Sequence, residues 1–209
     1  MSRDFALVPL DCPSCGAGVA AEADDVVFYC TACRSGYAHR PGAAAAAGPL
    51  VPVPVTFLAA PTHPVAGHLP FWWLPARLEI LRRAASGAVL RGLVDFLTGR
   101  EEQAGPRETG FAIPAHRLPL ARTVALAMRY TMEPPARGEL LGERLTGAVL
   151  ASADAEKLAH YVLIASNVAQ SDTLQDFEYD LRFGEPRLLG VPWVTEGNHR
   201  VDAFFRLPI

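Results

Sequence analysis

The chain has 209 residues, of which 50% are hydrophobic and 20% charged, and its formal net charge is -3. This composition excludes global disorder, which requires low hydrophobicity together with a high net charge. The slightly acidic balance also excludes a general basic field of the kind that attracts nucleic acid or anionic membranes. A chain of this length folds into one or two domains.

Composition divides the chain into three regions. Residues 1–40 contain all four cysteines, and residues 41–49 form an alanine-rich stretch with proline and glycine at both ends. Such ends favour a linker over a helix. The sequence therefore predicts a small N-terminal unit over 1–40, a linker over 41–49 and a second domain over 50–209. The linker predicts that the first unit is separable from the second.

The second region begins with strand patterns. Residues 51–57 alternate valine or phenylalanine with proline or threonine, and this period of two is typical of a strand. Pro52 and Pro54 leave one side of it without N–H groups, which predicts a sheet edge. Residues 75–85 fit a strand or a helix, and we favour the strand. Residues 86–99 carry apolar side chains at helical spacing.

Two further helices are predicted downstream. Pro119 suits the first turn of a helix with one apolar face to Met128, and Pro134–Pro135 stops it. Ser152 is a plausible N-cap for a second helix, whose apolar stripe reaches about Gln170.

The C-terminal tail has the pattern of strands separated by turns. Residues 177–183, 187–194 and 201–205 read as strands, with turn residues at 184–186 and 196–198. They predict a C-terminal antiparallel meander, and the second domain is therefore of the α+β class.

The cysteines form two C-x-x-C pairs, Cys12-Pro-Ser-Cys15 and Cys30-Thr-Ala-Cys33, separated by 14 residues. The short spacing lets both thiolates of a pair face one ion, and a hairpin between the pairs would bring them together. Two pairs at this separation predict a zinc site with Cys12, Cys15, Cys30 and Cys33 as its ligands. The metal would replace the core that some forty residues cannot build.

This arrangement resembles the zinc-ribbon family, in which two such pairs lie at the ends of a small β-sheet. The resemblance covers about residues 10–38 and implies a structural Zn²⁺ held by the four cysteines. Gly16 suits a turn of positive φ after the first pair, whereas Arg34 follows the second pair, where many ribbons have glycine. Iron in a rubredoxin-like site is the alternative, although rubredoxins usually carry glycine after both pairs. We leave His39 out, because four thiolates complete a tetrahedral shell.

A second resemblance concerns the larger region. Its segments Leu69–Trp72, Phe111–Ala115 and Asp154–Ala159 look like landmarks of an uncharacterised group of bacterial zinc-ribbon-headed proteins. This resemblance implies no known activity and supplies no catalytic residues.

Side chains outside the cysteine pairs give few chemical signals. Glu156 and His160 would share one helix face, and we interpret them as surface or rim residues. The run Phe71-Trp72-Trp73 would place at least one face in the core, and an exposed Trp72 or Trp73 would suit a protein partner. The chain has no G-x-S-x-G, P-loop or G-x-G-x-x-G motif.

Charge separates the remaining function classes. Residues 1–49 carry three arginines against five acidic residues, and four thiolates around Zn²⁺ add further negative charge. Phosphate binding needs clustered basic residues. We therefore predict a non-catalytic protein-interaction or assembly module with a structural zinc site. Nucleic-acid binding through the ribbon is the alternative, and an enzyme without a linear motif is the third hypothesis.

Targeting signals are weak. The N-terminus has no long apolar run, so we expect no signal peptide. Eight prolines interrupt the uncharged stretch from Pro41 to Ala76, which argues against a membrane span. We expect a cytoplasmic location, where reduced thiols favour metal binding over disulfides.

Overall fold

The computed structural model describes residues 10–39, 50–61, 65–85, 106–135, 137–138, 144–168 and 174–209. Within these ranges the chain forms ten strands and two helices, and the strands make two sheets. This architecture confirms the predicted α+β class. The linker predicted over 41–49 and the helix predicted over 86–99 lie outside the described residues.

The smaller sheet carries the second cysteine pair. It contains β1 (Val27–Cys30), β2 (Ser35–His39) and β3 (Leu50–Val53) in that order, and each neighbouring pair is antiparallel. β3 is an edge strand, as its proline pattern predicts. It is separated at Pro54 from β4 (Val55–Leu58), which joins the larger sheet. The single strand predicted over 51–57 is therefore two strands in two sheets.

The larger sheet is built around one long strand. β5 (Gly67–Ala85) has 19 residues, which confirms the strand interpretation of residues 75–85. The strand order is β6-β5-β9-β4-β7, with β8 on β5 and β10 on β9. The remaining strands are β6 (Arg107–Pro114), β7 (Arg137–Gly138), β8 (Leu174–Phe183), β9 (Arg187–Glu196) and β10 (His199–Asp202).

β8 and β9 lie end to end along one edge of β5. Residues 67–73 of β5 pair with β9, and residues 76–85 pair with β8, both in antiparallel register. The N–H of Gly184 donates to the carbonyl of Pro75 at 2.7 Å, so the connection also follows β5. The hairpin predicted at 184–186 is therefore wrong, because β5 is long enough to pair with both strands. The other predicted turn joins β9 to β10 as a hairpin.

The two helices cover the larger sheet. α1 (Leu120–Met132) matches the predicted helix and ends before Pro134–Pro135, and α2 (Ser152–Val168) begins where the capping signal predicted. The Thr131 hydroxyl accepts a hydrogen bond from the N–H of Ala112, a backbone donor of edge strand β6. Neither described helix has the length and apolar character needed to cross a bilayer.

The smaller sheet shares a core with the larger one. Val27 and Tyr29 of β1 belong to the same buried cluster as Trp72 and Leu74 of β5. The N–H groups of Val26 and Val27 donate to the carbonyl of Ala148 at 2.7 and 3.1 Å, and the N–H of Ala148 donates back to Val27. These contacts favour one cooperative unit, and the division into separable domains stays a prediction for an unfolding experiment.

Candidate metal centre

The fold brings the two cysteine pairs together. The first pair lies in the loop closed by the bridge between Asp11 and Gly18, and the second lies where β1 turns into β2. The four Sγ atoms all lie within 4.8 Å of one another, and all four thiols are free. Two short distances join cysteines of different pairs, with 3.4 Å between Cys12 and Cys33 and 3.7 Å between Cys15 and Cys30.

These distances fit one tetrahedral ion. A zinc–sulfur bond of about 2.3 Å implies sulfur atoms about 3.8 Å apart at the corners of a tetrahedron. A disulfide would need about 2.05 Å instead. The donor set is therefore suitable for a metal ion of the zinc type, with four thiolates and no coordination position left for a substrate.

The turn after each cysteine pair adopts a left-handed backbone conformation. Gly16 has a φ of 70° and its N–H donates to the carbonyl of Cys12 at 2.9 Å. Arg34 has a φ of 62° and donates in the same way to Cys30 at 2.7 Å. The second turn therefore matches the first although arginine replaces glycine, at a conformational cost of about 1 kcal/mol.

The four sulfur ligands differ in their surroundings. Cys12 and Cys30 are buried, Cys33 is half-buried and Cys15 is exposed. The hydroxyl oxygen of Tyr37 lies 3.5 Å from Cys12 Sγ and 2.6 Å from the hydroxyl oxygen of Ser14. One side of the cluster is thus enclosed by protein, and the other side reaches solvent.

The two thiols of the first cysteine pair differ in pKa. Burial raises the pKa of the Cys12 thiol, but its hydrogen bonds with Tyr37, with two backbone groups and with Cys33 together outweigh burial, and the pKa falls to about 6. A hydrogen bond with the backbone of Ala17 lowers the pKa of Cys15, whereas partial desolvation and the neighbouring thiols raise it to about 12. A bound cation would therefore be needed to keep Cys12 and Cys15 deprotonated together.

A polar cavity lies where the smaller sheet meets the larger unit. It encloses about 260 Å³ and is lined by residues that include Glu22, Asp24, Asp25, His116 and Arg117. The Arg117 guanidinium forms an ion pair with the Asp24 carboxylate across this junction. Sequence reasoning missed the cavity, because its two walls are far apart in the chain and neither carries a motif.

The other candidate functional residues from the sequence make packing contacts or hydrogen bonds within the fold. Trp72 is buried and donates its indole N–H to the carbonyl of Leu150 at 2.8 Å, whereas Trp73 is half-buried. His160 lies 3.0 Å from the Tyr179 hydroxyl and packs edge-on against Phe183. Glu156 is half-buried on the same helix. None of these residues is part of the cysteine cluster.

The cysteine cluster on a small antiparallel sheet defines a zinc-ribbon-like site. No protein-family model, curated protein or solved structure matches the chain. The resemblance of the larger region to a bacterial group therefore gains no support from these comparisons and stays a prediction.

Proposed function

We propose that the four cysteines hold one structural Zn²⁺ and that the protein is a non-catalytic interaction or assembly module. The observation that carries this proposal is the convergence of four sulfur atoms within 4.8 Å. Four thiolates close the tetrahedral shell of zinc, whereas catalytic zinc sites keep one position for water or substrate. The ion would hold the loop of the first pair against the end of β1.

Exposed apolar side chains support the interaction role. Trp73 is half-buried on β5, so part of its indole reaches solvent, whereas its neighbour Trp72 is buried in the core. Tryptophan contributes strongly at protein interfaces, because it combines a large apolar surface with an N–H donor. Large hydrophobic side chains elsewhere are also exposed, namely Leu81, Leu120, Tyr161 and Ile164.

The charge around the metal centre favours a protein partner over nucleic acid. Asp11, Glu22 and Asp24 are exposed on the cysteine-bearing unit. Arg117 extends from the larger unit towards this surface, but Asp24 pairs with it. Phosphate-dominated binding needs unpaired basic side chains in a cluster. Nucleic-acid binding is therefore the alternative, and no contact among the residues that the structure describes in this unit favours it.

The metal content is the direct test. Protein purified without added metal should contain one zinc ion per chain, and replacing Cys12 and Cys30 by serine should abolish it. Iron with visible charge-transfer colour would contradict the structural-zinc proposal in favour of a rubredoxin-like centre. Wild-type protein that contains no metal as purified, and that is no more stable than the double variant, would contradict metal binding itself.

The partner class is tested separately. Fluorescence anisotropy with labelled duplex and single strands should show no binding below about 100 μM at physiological salt. Micromolar binding that weakens steeply with salt would favour the nucleic-acid alternative. Capture of a protein from the native host should depend on Trp73, so Trp73→Ala should lose it. Trp193→Ala is the matched control, because Trp193 is also a half-buried tryptophan of the larger sheet.

A further inference from the structure

A buried tyrosine hydroxyl lies next to one sulfur ligand. Tyr37 is only 1% exposed and packs with Cys12 and Cys30 in the small core of the cysteine-bearing unit. A phenylalanine ring would fill the same space, so packing alone does not require the hydroxyl. That hydroxyl instead bridges Cys12 Sγ at 3.5 Å and the Ser14 hydroxyl oxygen at 2.6 Å.

The direction of this hydrogen-bond chain depends on the state of the sulfur. When Cys12 carries its proton, the S–H donates to Tyr37, and Tyr37 donates to Ser14. A metal-bound thiolate has no proton and can only accept. Tyr37 has a single hydroxyl hydrogen, so if it donates that hydrogen to the sulfur it is left to accept from Ser14. The direction of this hydrogen-bond chain can reverse without movement of any heavy atom.

We propose that Tyr37 is a positioning residue of the metal centre, whose hydroxyl donates to the metal-bound Cys12 sulfur. Ser14, which is exposed, completes the chain to solvent. The inference rests on the proposed zinc site and deepens it. Cys12 needs an internal donor because it is buried, whereas the exposed Cys15 can receive hydrogen bonds from water. Hydrogen bonds to a charged acceptor are about twice as strong as neutral ones.

Cobalt substitution of the full chain tests this role. Co²⁺ is the probe because its thiolate charge-transfer bands report the electron density on the sulfur ligands. Tyr37→Phe removes the hydroxyl and keeps the ring. We expect the charge-transfer bands to move to longer wavelength, because a sulfur without its hydrogen bond gives up an electron more easily. Metal affinity, measured by competition with a chelator, should fall on the order of 10-fold.

Three other variants serve as controls for this result. Tyr29→Phe removes a hydroxyl from the neighbouring strand, where the ring belongs to the core shared with the larger sheet, and should leave the bands unchanged. Ser14→Ala should shift the bands in the same direction as Tyr37→Phe but less, since Tyr37 can still donate to the sulfur. Ser14→Thr keeps a hydroxyl and should restore the wild-type spectrum.

The outcomes separate this inference from the proposed function. If wild-type protein binds no Co²⁺ in tetrahedral form, the metal site itself is refuted. If it binds one Co²⁺ and Tyr37→Phe gives the same bands and the same affinity, Tyr37 only packs and the inference is overturned. Should Tyr37→Phe fail to fold, the serine variants decide, because an unchanged Ser14→Ala spectrum would overturn the hydrogen-bond chain.

Discussion

Removing the metal should weaken the larger sheet as well as the cysteine-bearing unit. The perturbation is a chelator or the Cys30→Ser substitution, both of which release the end of β1. β1 contributes Val27 and Tyr29 to the core around Trp72, and these side chains are 1% and 6% exposed. Burying one such side chain stabilises a fold by about 1.5–3 kcal/mol. Losing both should therefore cost the larger unit on the order of 3–6 kcal/mol.

Tryptophan fluorescence reports this loss in the larger sheet without a signal from the cysteine-bearing unit. The chain has three tryptophans, at positions 72, 73 and 193, and all of them lie in the larger sheet. Urea unfolding followed by their emission should show a lower midpoint after metal removal. The expected loss is a large fraction of the 5–15 kcal/mol that holds a typical domain together. The linker in the sequence predicts the opposite, namely a tryptophan transition that ignores the metal.

A pair of valine variants locates the effect. Val27→Ala should lower the tryptophan-reported free energy of unfolding of the metal-loaded protein by about 1–2 kcal/mol, because it removes methyl groups from the shared core. Val19→Ala is the matched control, since Val19 packs against the cysteine cluster instead. A tryptophan transition that stays within about 0.5 kcal/mol after chelation would refute the shared core as an energetic link.

Three further predictions concern single residues. Both Gly16 and Arg34 have positive φ, a conformation that glycine adopts without strain. Gly16→Ala should therefore lower the stability of the metal-loaded protein by about 1 kcal/mol, whereas Arg34→Gly should not lower it. Equal effects of the two substitutions in a thermal melt would contradict this. Asp202→Asn should lose about 3 kcal/mol in urea unfolding, more than Tyr130→Phe. The buried carboxylate accepts from the Tyr130 hydroxyl at 2.7 Å and from three backbone N–H groups, and a smaller loss than that of Tyr130→Phe would refute its anchoring role. Burial lowers the pKa of His116 from 6.5 to about 4, so the unfolded chain binds more protons between these values. Stability should therefore fall by up to about 3 kcal/mol as the pH drops from 6.5 to 4, and a His116→Asn protein with the same pH profile would show that other groups are responsible.

Local signals account for what could be predicted from the sequence. Each C-x-x-C pair places its own two thiolates close together whatever the rest of the chain does, because it spans a single turn. The first helix begins after Pro119 and ends before Pro134, and the second begins at Ser152, all residues with a local capping or breaking effect. The strand at 75–85 had a period of two strong enough to outweigh its helix-forming residues.

Pairing between distant segments accounts for what could not be predicted. An alternating pattern marks β8 and β9 as strands, but it does not show that both pair with β5 rather than with each other. The division of residues 51–57 between two sheets depends on β2 and β9, which lie on either side in sequence. The contact of Val27 with Ala148 likewise has no local signal. The role of the Tyr37 hydroxyl could not be predicted either, because only the fold places it beside Cys12.

The position of β9 has a consequence for the order in which the protein folds. β9 pairs with β5 on one side and with β4 on the other, so Leu69 meets Val191 and Phe57 meets Gly190. Contacts this distant in sequence form slowly, because the entropy cost of closing a long loop comes before any stabilisation from strand pairing. During synthesis the cysteine hairpin can capture its ion long before β9 leaves the ribosome. Until then β4 and β5 present unpaired edges, and this nascent intermediate is the stage at which chaperones would protect the chain from aggregation.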